Sequence, residues 1–281
     1  MEYLHKQPDK SQTPSDVPWQ LKLFKHKLKK QQKLEALLDM MGNVKGQKCI
    51  LITCGDNNGA LNWHLKERGG KWTWADAERE SRAQISELTG DPVLKVDKDE
   101  PTLSLPDNRF DVVMTIDVHE HLQDTARLNA ELARIVMPGG RVIVTTPGGD
   151  PRRIANRIKH RVGMSAIDYG HVVDGYDVPA LQAQMSAAGL KPTASSSYSR
   201  FFIEMIELAM NFVFVKILSK RSEAKVEQGQ IAPQNPDQLK SVEKSYKMYS
   251  LVYPIVWLLS RLDYLIPFTE GHAVIVVGQK D

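Results

Sequence analysis

Between residues 49 and 147 five short apolar runs alternate with stretches of helical periodicity, and this alternation limits the fold more than any other feature of the chain. CILIT (49–53), WTWA (72–75), PVLKV (92–96), FDVVMTI (110–116) and RVIVTT (141–146) read as strands. Runs this short and rich in β-branched residues, bounded by turn residues, fit strands buried on both faces. Helices are expected over 60–68, from just after Asp76 through Glu87, and over 124–136. Strands separated by helices of this length predict an α/β fold with a mainly parallel sheet and helices on both faces. A further helix is expected over 177–188, closed by Gly189, then a strand near 193–199, and HAVIVVGQK (272–280) reads as a last strand.

The flanking segments divide the chain. Residues 1–17 are polar with two prolines and read as a flexible tail. Residues 18–46 read as one basic amphipathic helix, with Leu23, Phe24, Leu28, Leu34, Leu37, Leu38 and Met41 at helical spacing and Gly42 as a stop. Its Lys22, Lys25, Lys27, Lys29, Lys30 and Lys33 precede any acid, the first being Glu35. That face is either solvated or laid on an anionic membrane surface. Residues 47–281 form the main domain, in which 201–270 interrupts the strand–helix rhythm before the last strand. This insertion holds two apolar blocks around a polar linker. The first block contains Glu204, Glu207 and Lys216, and the second has an uncharged run of only 13 residues, 248–260. A membrane span needs about 20, so neither block reads as one.

Charge and cysteine content narrow the function classes. The chain carries 37 basic and 34 acidic residues, a net charge of +3 that gives no reason to expect nucleic acid. Cys49 and Cys54 are the only cysteines, and their spacing suits neither a disulfide framework nor a zinc knuckle. The first ten residues lack the apolar core of a signal peptide. A cytoplasmic protein is expected, peripheral on the inner face of a membrane if the basic helix and the insertion touch lipid.

In a sheet of this kind ligands bind at the carboxyl ends of the strands, so the first strand–helix turn is informative. It reads Thr53-Cys54-Gly55-Asp56-Asn57-Asn58-Gly59. Glycines there let the backbone approach a ligand, and amides at the following helix start attract anionic groups. Asp76 ends the second strand, 21 residues after Gly55. A carboxylate at that place can accept hydrogen bonds from ribose hydroxyls; alternatively it caps the next helix.

Taken in order, these pieces resemble the class I S-adenosylmethionine-dependent methyltransferases, of the broad group that includes the ubiquinone-pathway enzymes. The likeness runs over about residues 48–190 and includes the final strand. Gly55, Asn57 and Gly59 fall on the family's Gly-x-Gly-x-Gly turn, and Gly59 to Asp76 matches its spacing without a gap. DEPTLSLPDNRFDVV (99–113), DVHEHL (117–122) and RIVMPGGRVIVTTP (134–147) resemble its later segments. The resemblance implies a Rossmann-like seven-stranded methyltransferase sheet with a helical insertion before the last strand, and S-adenosyl-L-methionine as cofactor. It implies that the glycine turn lies against the methionine part, Asp76 on the ribose, Ala77 against the adenine, Asp99 (with Asp97 as rival) on the adenine amino group, and Val118 near the sulfonium. Thr53 stands where the family usually has an acid, and Asn57 where it usually has glycine. Asn57 is expected to take the positive φ of the turn, which Asn tolerates better than most residues.

Methyl transfer to a hydroxyl needs positioning and a base. His119, His171 and His121 are the candidates, each also readable as a loop or packing histidine. On a continued strand Asp117, His119 and His121 would share a face, but the spacing is no standard zinc arrangement and no metal is expected. The aromatic insertion, with Phe201, Phe202, Phe212, Phe214, Tyr249, Tyr253 and Trp257, suggests a cap over a hydrophobic or lipid-linked small-molecule acceptor, or a surface buried in the core or a homodimer. Arg152, Arg153, Arg157, Lys159 and Arg161 form a second basic stretch suited to an anionic leaflet. Two other functions remain open: an inactive membrane-associated scaffold, suggested by Thr53, and an NAD-linked oxidoreductase, whose glycine pattern would need glycines where Asn57 and Ala60 stand.

Overall fold

The computed structural model describes residues 17–164, 170–213, 243–266 and 270–281, and the side chains of 243–248 are not described. Most of the tail, Phe214 and the polar linker of the insertion lie outside those residues. Seven strands form one sheet: β1 (Lys48–Thr53), β2 (Lys71–Asp76), β3 (Val93–Lys95), β4 (Phe110–Ile116), β5 (Val136–Pro147), β6 (Leu190–Tyr198) and β7 (Ala273–Lys280). Their order is β3-β2-β1-β4-β5-β7-β6. β7 runs antiparallel between β5 and β6, and the pairings among β1 to β5 are parallel. Strand order reverses between β1 and β4, and such a switch point opens a crevice at the strand carboxyl ends.

Period-two alternation sends side chains of the central strands to two cores. Ile50, Ile52, Val113, Val142, Val144, Val274 and Val276 face one cluster. Cys49, Leu51, Val112, Met114, Ile143, Ile275 and Val277 face the other. The first face is covered by α5 (Thr125–Ile135) and α7 (Val178–Ala187), through Leu128, Leu132, Leu181 and Met185. The second is covered by α1 (Trp19–Phe24), α2 (Leu28–Met41), α3 (Ala60–Lys66) and α4 (Arg79–Thr89). Asp124 and Asp177 cap α5 and α7, accepting from the amides of Arg127 and Ala180.

The N-terminal segment is two helices rather than the single one expected. The chain breaks over 25–27, and Gln31 Nε2 donates to the carbonyls of Phe24 (3.2 Å) and Lys25 (2.8 Å) while Tyr249 donates to that of His26 (2.9 Å). These partners satisfy helix-end carbonyls that would otherwise lack one. The break lets Leu21 and Phe24 join Leu34, Leu37 and Met41 in one cluster. In the insertion, α8 (Phe201–Phe212) packs against α2 and α6 (Ile154–Arg161), and α9 (Glu243–Ser260) packs against α8. Asp263, in a short 3₁₀ helix after α9, accepts from the amides of Phe202 (2.8 Å) and Ile203 (3.1 Å), tying the two ends of the cap together. No described helix is long and apolar enough to cross a membrane.

Candidate active site

A cleft of about 740 Å³ opens at the switch point. One wall is the turn after β1 and the start of α4; the other is the turn after β4, the 170–174 segment, α2, α6 and α8.

On the first wall Gly55 (φ 88°) and Gly59 (φ 85°) hold the turn in the left-handed region. A Cβ on Gly59 would come within 3.0 Å of Ile85 Cα, so glycine there also permits close packing on α4. The non-glycine residue that takes positive φ is Asp56 (φ 43°), not Asn57. Asn57 instead folds its side chain into the turn. Its Nδ2 donates to Thr53 Oγ1 and to Asn62 Oδ1, both at 3.0 Å, and its Oδ1 accepts from the Gly59 amide at 2.9 Å. Thr53, in the place of an acid, donates its hydroxyl hydrogen bond to Asp76.

Asp76, expected on the ribose, lies under the turn and is not among the residues lining the cleft. It is fully buried and accepts from Thr53, from the Gly55 amide (3.1 Å) and from the Glu78 amide (2.7 Å). Burial pushes its pKa up to about 6 against the pull of those donors. The carboxylate lining the cleft beside Gly55 is Glu78, half-exposed and paired with Lys98 at 2.5 Å. Ala77 packs against the core, and Asp99 and Asp97 are exposed, the Asp99 amide donating to Asp97 Oδ1 at 3.0 Å. Lys98, between them, is what reaches the cleft.

The second wall also departs from a continued strand. β4 ends at Ile116, Asp117 takes a positive φ of 50°, and His119–His121 form a 3₁₀ turn. This turn buries Val118 in the core and sends His119 beneath the cleft, where it is fully buried with Nε2 3.0 Å from Asn129 Oδ1. Burial lowers the His119 pKa to about 4. His119 and Val118 therefore do not face the cleft, whereas Glu120, His121 and His171 do. The rings of His121 and His171 meet edge to face, with centroids 4.8 Å apart. His121 Nδ1 lies 2.8 Å from the carbonyl of Gly170. A carbonyl only accepts, so Nδ1 carries the proton and Nε2 keeps the free electron pair in the neutral ring. Burial lowers the pKa of His121, and burial together with His121 lowers that of His171 to about 3. Glu120 is fully buried, takes a bond from the Thr146 hydroxyl (3.0 Å), and has its carboxyl pushed far up by burial and by Asp117.

The far end of the cleft was not foreseen. Lysines of α2 turn inward: Lys33 pairs with Asp117, Lys30 bonds the Asp56 carbonyl (3.1 Å), and Lys29 meets Glu204 at 2.9 Å. Lys159 of α6 reaches the same Glu204, which also accepts from Ser199 at 2.8 Å. Glu204 is buried, yet the two lysines outweigh the burial penalty and hold its pKa well below the usual range. These lysines face cleft carboxylates rather than solvent or lipid. The sequence did carry a signal, since Glu204, Glu207 and Asn211 make a polar i, i+3, i+7 stripe on an otherwise apolar helix, and all three line the cleft. In the second basic stretch Arg152 pairs with Asp150 and Arg153 with Glu270.

The strand order, the antiparallel β7 and the glycine turn at the switch point define the class I methyltransferase fold. Residues 52–144, about a third of the chain, match the family described as methyltransferase domain. The chain is similar to the ubiquinone biosynthesis O-methyltransferases of Aeromonas salmonicida (29% identity over 125 residues, 43% of this chain and 51% of that one) and Alkalilimnicola ehrlichii (27% over 133 residues, 43% and 49%). The chain thus spans about half the length of the curated relatives it matches. Among solved structures, a SAM-dependent methyltransferase from Archaeoglobus fulgidus superposes with a TM-score of 0.55 at 15% identity, over 94% of this chain and all of that one. At that identity the likeness shows the fold.

Proposed function

We propose that the protein transfers a methyl group from S-adenosyl-L-methionine to a hydroxyl of a hydrophobic or lipid-linked small molecule. The observation that carries the reading is the convergence of the glycine turn and the His121–His171 pair on opposite walls of one cleft. The residues fit the cofactor: the turn keeps both of its outer glycines at positive φ, and a carboxylate, Glu78, stands at the cleft wall beside Gly55. Asp76 braces the turn from below, and Glu78 takes the ribose hydroxyls in its place. When bound, the cofactor supplies an electrophilic methyl group and its own leaving group. The protein then has to orient the acceptor and receive its proton. His121 Nε2 is the receiving atom, because its partner nitrogen is committed to Gly170. The lowered His121 pKa keeps the ring neutral and ready to accept at neutral pH.

Two features support an acceptor met at a membrane surface. The insertion pairs its aromatic rings, Phe201 against Phe202 and Tyr249 against Tyr253, and its helix α8 lines the cleft through Glu204, Glu207, Leu208 and Asn211. α9 also exposes Leu251 (81%), Ile255 (63%) and Leu258 (64%) at helical spacing, with Leu265 just beyond. The test is methyl-labelled cofactor incubated with the protein and a panel of long-chain alkyl phenols, catechols and amines, with counting of the organic extract. Label in phenolic products, reduced at least tenfold in His121→Ala, supports the reading. Label in the amines alone would overturn O-methylation. No binding of S-adenosylmethionine or S-adenosylhomocysteine would favour a scaffold, for which the filling of the turn by the Asn57 side chain is the structural ground.

A further inference from the structure

The three polar residues of α8 are not equally satisfied. Glu204 is saturated, because Lys29, Lys159 and the Ser199 hydroxyl all donate to it. Glu207 and Asn211 follow about one and two turns further along the same face. Both are buried, at 8% and 3% exposure, and both line the cleft. Among the described residues no donor reaches the Glu207 carboxylate within hydrogen-bond distance. Lys29 acts on Glu207 through its charge but gives its hydrogen bond to Glu204. Asn211 supplies an independent observation: its buried Oδ1 has no hydrogen-bond partner among the described residues. Buried polar groups of this kind are costly unless something meets them. A carboxylate and an amide, adjacent at i and i+4 on a helix that is otherwise apolar, stand in the cleft wall with their partners missing.

We infer that Glu207 and Asn211 form a subsite that binds a second, neutral hydroxyl of the acceptor, apart from the hydroxyl that reacts. Charge decides against the other candidates. Lys29 and Lys159 are balanced by Glu204 and Glu207, and Lys33 is balanced by Asp117. Burial lowers the pKa of the neighbouring His272 to about 4, which leaves that ring uncharged at neutral pH. An ammonium would add an uncompensated positive charge to this buried corner, and an acidic group would be set against Glu207. A hydroxyl disturbs no balance. Its proton goes to the Glu207 carboxylate, and the Asn211 amide offers both an acceptor and donors, so a single hydroxyl or a neighbouring pair is satisfied. The two residues lie in the insertion, away from the glycine turn, so they select among hydrophobic acceptors without touching the cofactor half of the cleft.

This inference rests on the methyl-transfer reading of the cleft, and binding and turnover are measured separately so that either can fail alone. Full-length protein, with and without S-adenosylhomocysteine, is titrated by calorimetry with matched probes. These are a long-chain alkyl phenol, the same phenol with one further hydroxyl on the ring or along the chain, and the same phenol with an aminomethyl group. Each probe is then offered together with methyl-labelled S-adenosylmethionine. The expected result is that a dihydroxy probe binds about tenfold to a hundredfold more tightly than the plain phenol, as a hydrogen bond to a charged group gives, and that the aminomethyl probe gains nothing. Glu207→Leu and Asn211→Leu each bring the ratio of the two phenol affinities towards one, a change that a purely structural role would not produce. A melting curve like that of the parent protein confirms folding, and Asn211→Leu carries the test if Glu207→Leu does not fold. Equal binding of plain and dihydroxy probes, an unchanged ratio in the folded variants, or no binding of any probe overturns the subsite. Tighter binding of the aminomethyl probe overturns its assignment to a neutral hydroxyl. Preferential binding without label in any probe would sink methyl transfer and leave the subsite standing, and label without preference would do the reverse.

Discussion

Asp76 and Glu78 are two carboxylates at the end of one strand, and the proposed function gives them opposite tasks. Asp76 is fully buried and receives three protein donors, from Thr53, Gly55 and Glu78. Replacing it by alanine strands those donors under the turn. Each buried unsatisfied group costs about 1–3 kcal/mol, and since the three share one site, the sum for Asp76→Ala is about 3–5 kcal/mol. At about 2–4 °C per kcal/mol, the melting temperature falls by roughly 10 °C. Glu78→Ala removes an ion pair with both side chains partly exposed, worth about 0–1 kcal/mol. It should leave stability nearly unchanged but weaken S-adenosylhomocysteine about tenfold to a hundredfold, the value of a hydrogen bond to a charged group at about 1.5–3 kcal/mol. Asp76→Asn keeps the shape and most of the fold. Its stability relative to the parent also has a definite pH sense. A carboxyl raised to about 6 from an ordinary value of 3.8 favours the folded state at low pH, and that contribution is lost as pH rises through 6. Calorimetry with S-adenosylhomocysteine beside melting curves at pH 5 and 8 reads both effects. If folded Asp76→Asn lost the cofactor while Glu78→Ala kept it, the assignment would be reversed.

Four further outcomes follow from named contacts. Burial lowers the His119 pKa from 6.5 to about 4, so stability is full above 6.5 and falls as pH drops towards 4; His119→Gln should flatten this fall by on the order of 3 kcal/mol in denaturation curves at pH 4 and 7. Glu204→Gln leaves Lys29 and Lys159 without their shared counter-charge and should cost about 3–5 kcal/mol, a figure refuted by an unchanged urea midpoint. Leu37→Ala empties a fully buried position between α2 and the sheet and should cost about 2–5 kcal/mol by the same measurement. Ile255→Glu with Leu258→Glu should reduce co-sedimentation with anionic vesicles at least tenfold while leaving the melting curve in place; equal sedimentation would remove α9 from any lipid contact.

The sheet was readable in the sequence because alternating apolar runs are dictated by burial on two faces, and shifts at strand ends were small. β5 gained its Pro-Gly-Gly start, and β3 shrank to Val93–Lys95. The glycine turn was readable as well, but its detail was not. Whether Asp56 or Asn57 takes the left-handed conformation depends on where the Asn57 amide finds partners, and those include Asn62 on the next helix. The placement of the histidines was hidden for a related reason. Extending β4 by its own periodicity places His119 and His121 on one face, whereas the positive φ at Asp117 breaks that period and sends the two to opposite sides. The α2 lysines looked like a solvated face because their carboxylate partners, Asp117 and Glu204, lie 84 and 175 residues away. No local pattern records pairings at that distance.

The insertion leaves the sheet after Tyr198 and returns at Ala273, and these two residues are direct partners in the β6–β7 ladder. The amide of His272 closes on the Ser199 carbonyl at 2.7 Å, so the whole excursion begins and ends within one hairpin's width. A segment anchored in this way can be lengthened, shortened or exchanged at little cost in chain entropy, since closure depends only weakly on length. The half of the cleft formed by the glycine turn is built from residues before position 100, and the cap from residues after 200. On the proposed function, acceptor choice can therefore drift, or be grafted between proteins of this fold, while the cofactor half stays as it is.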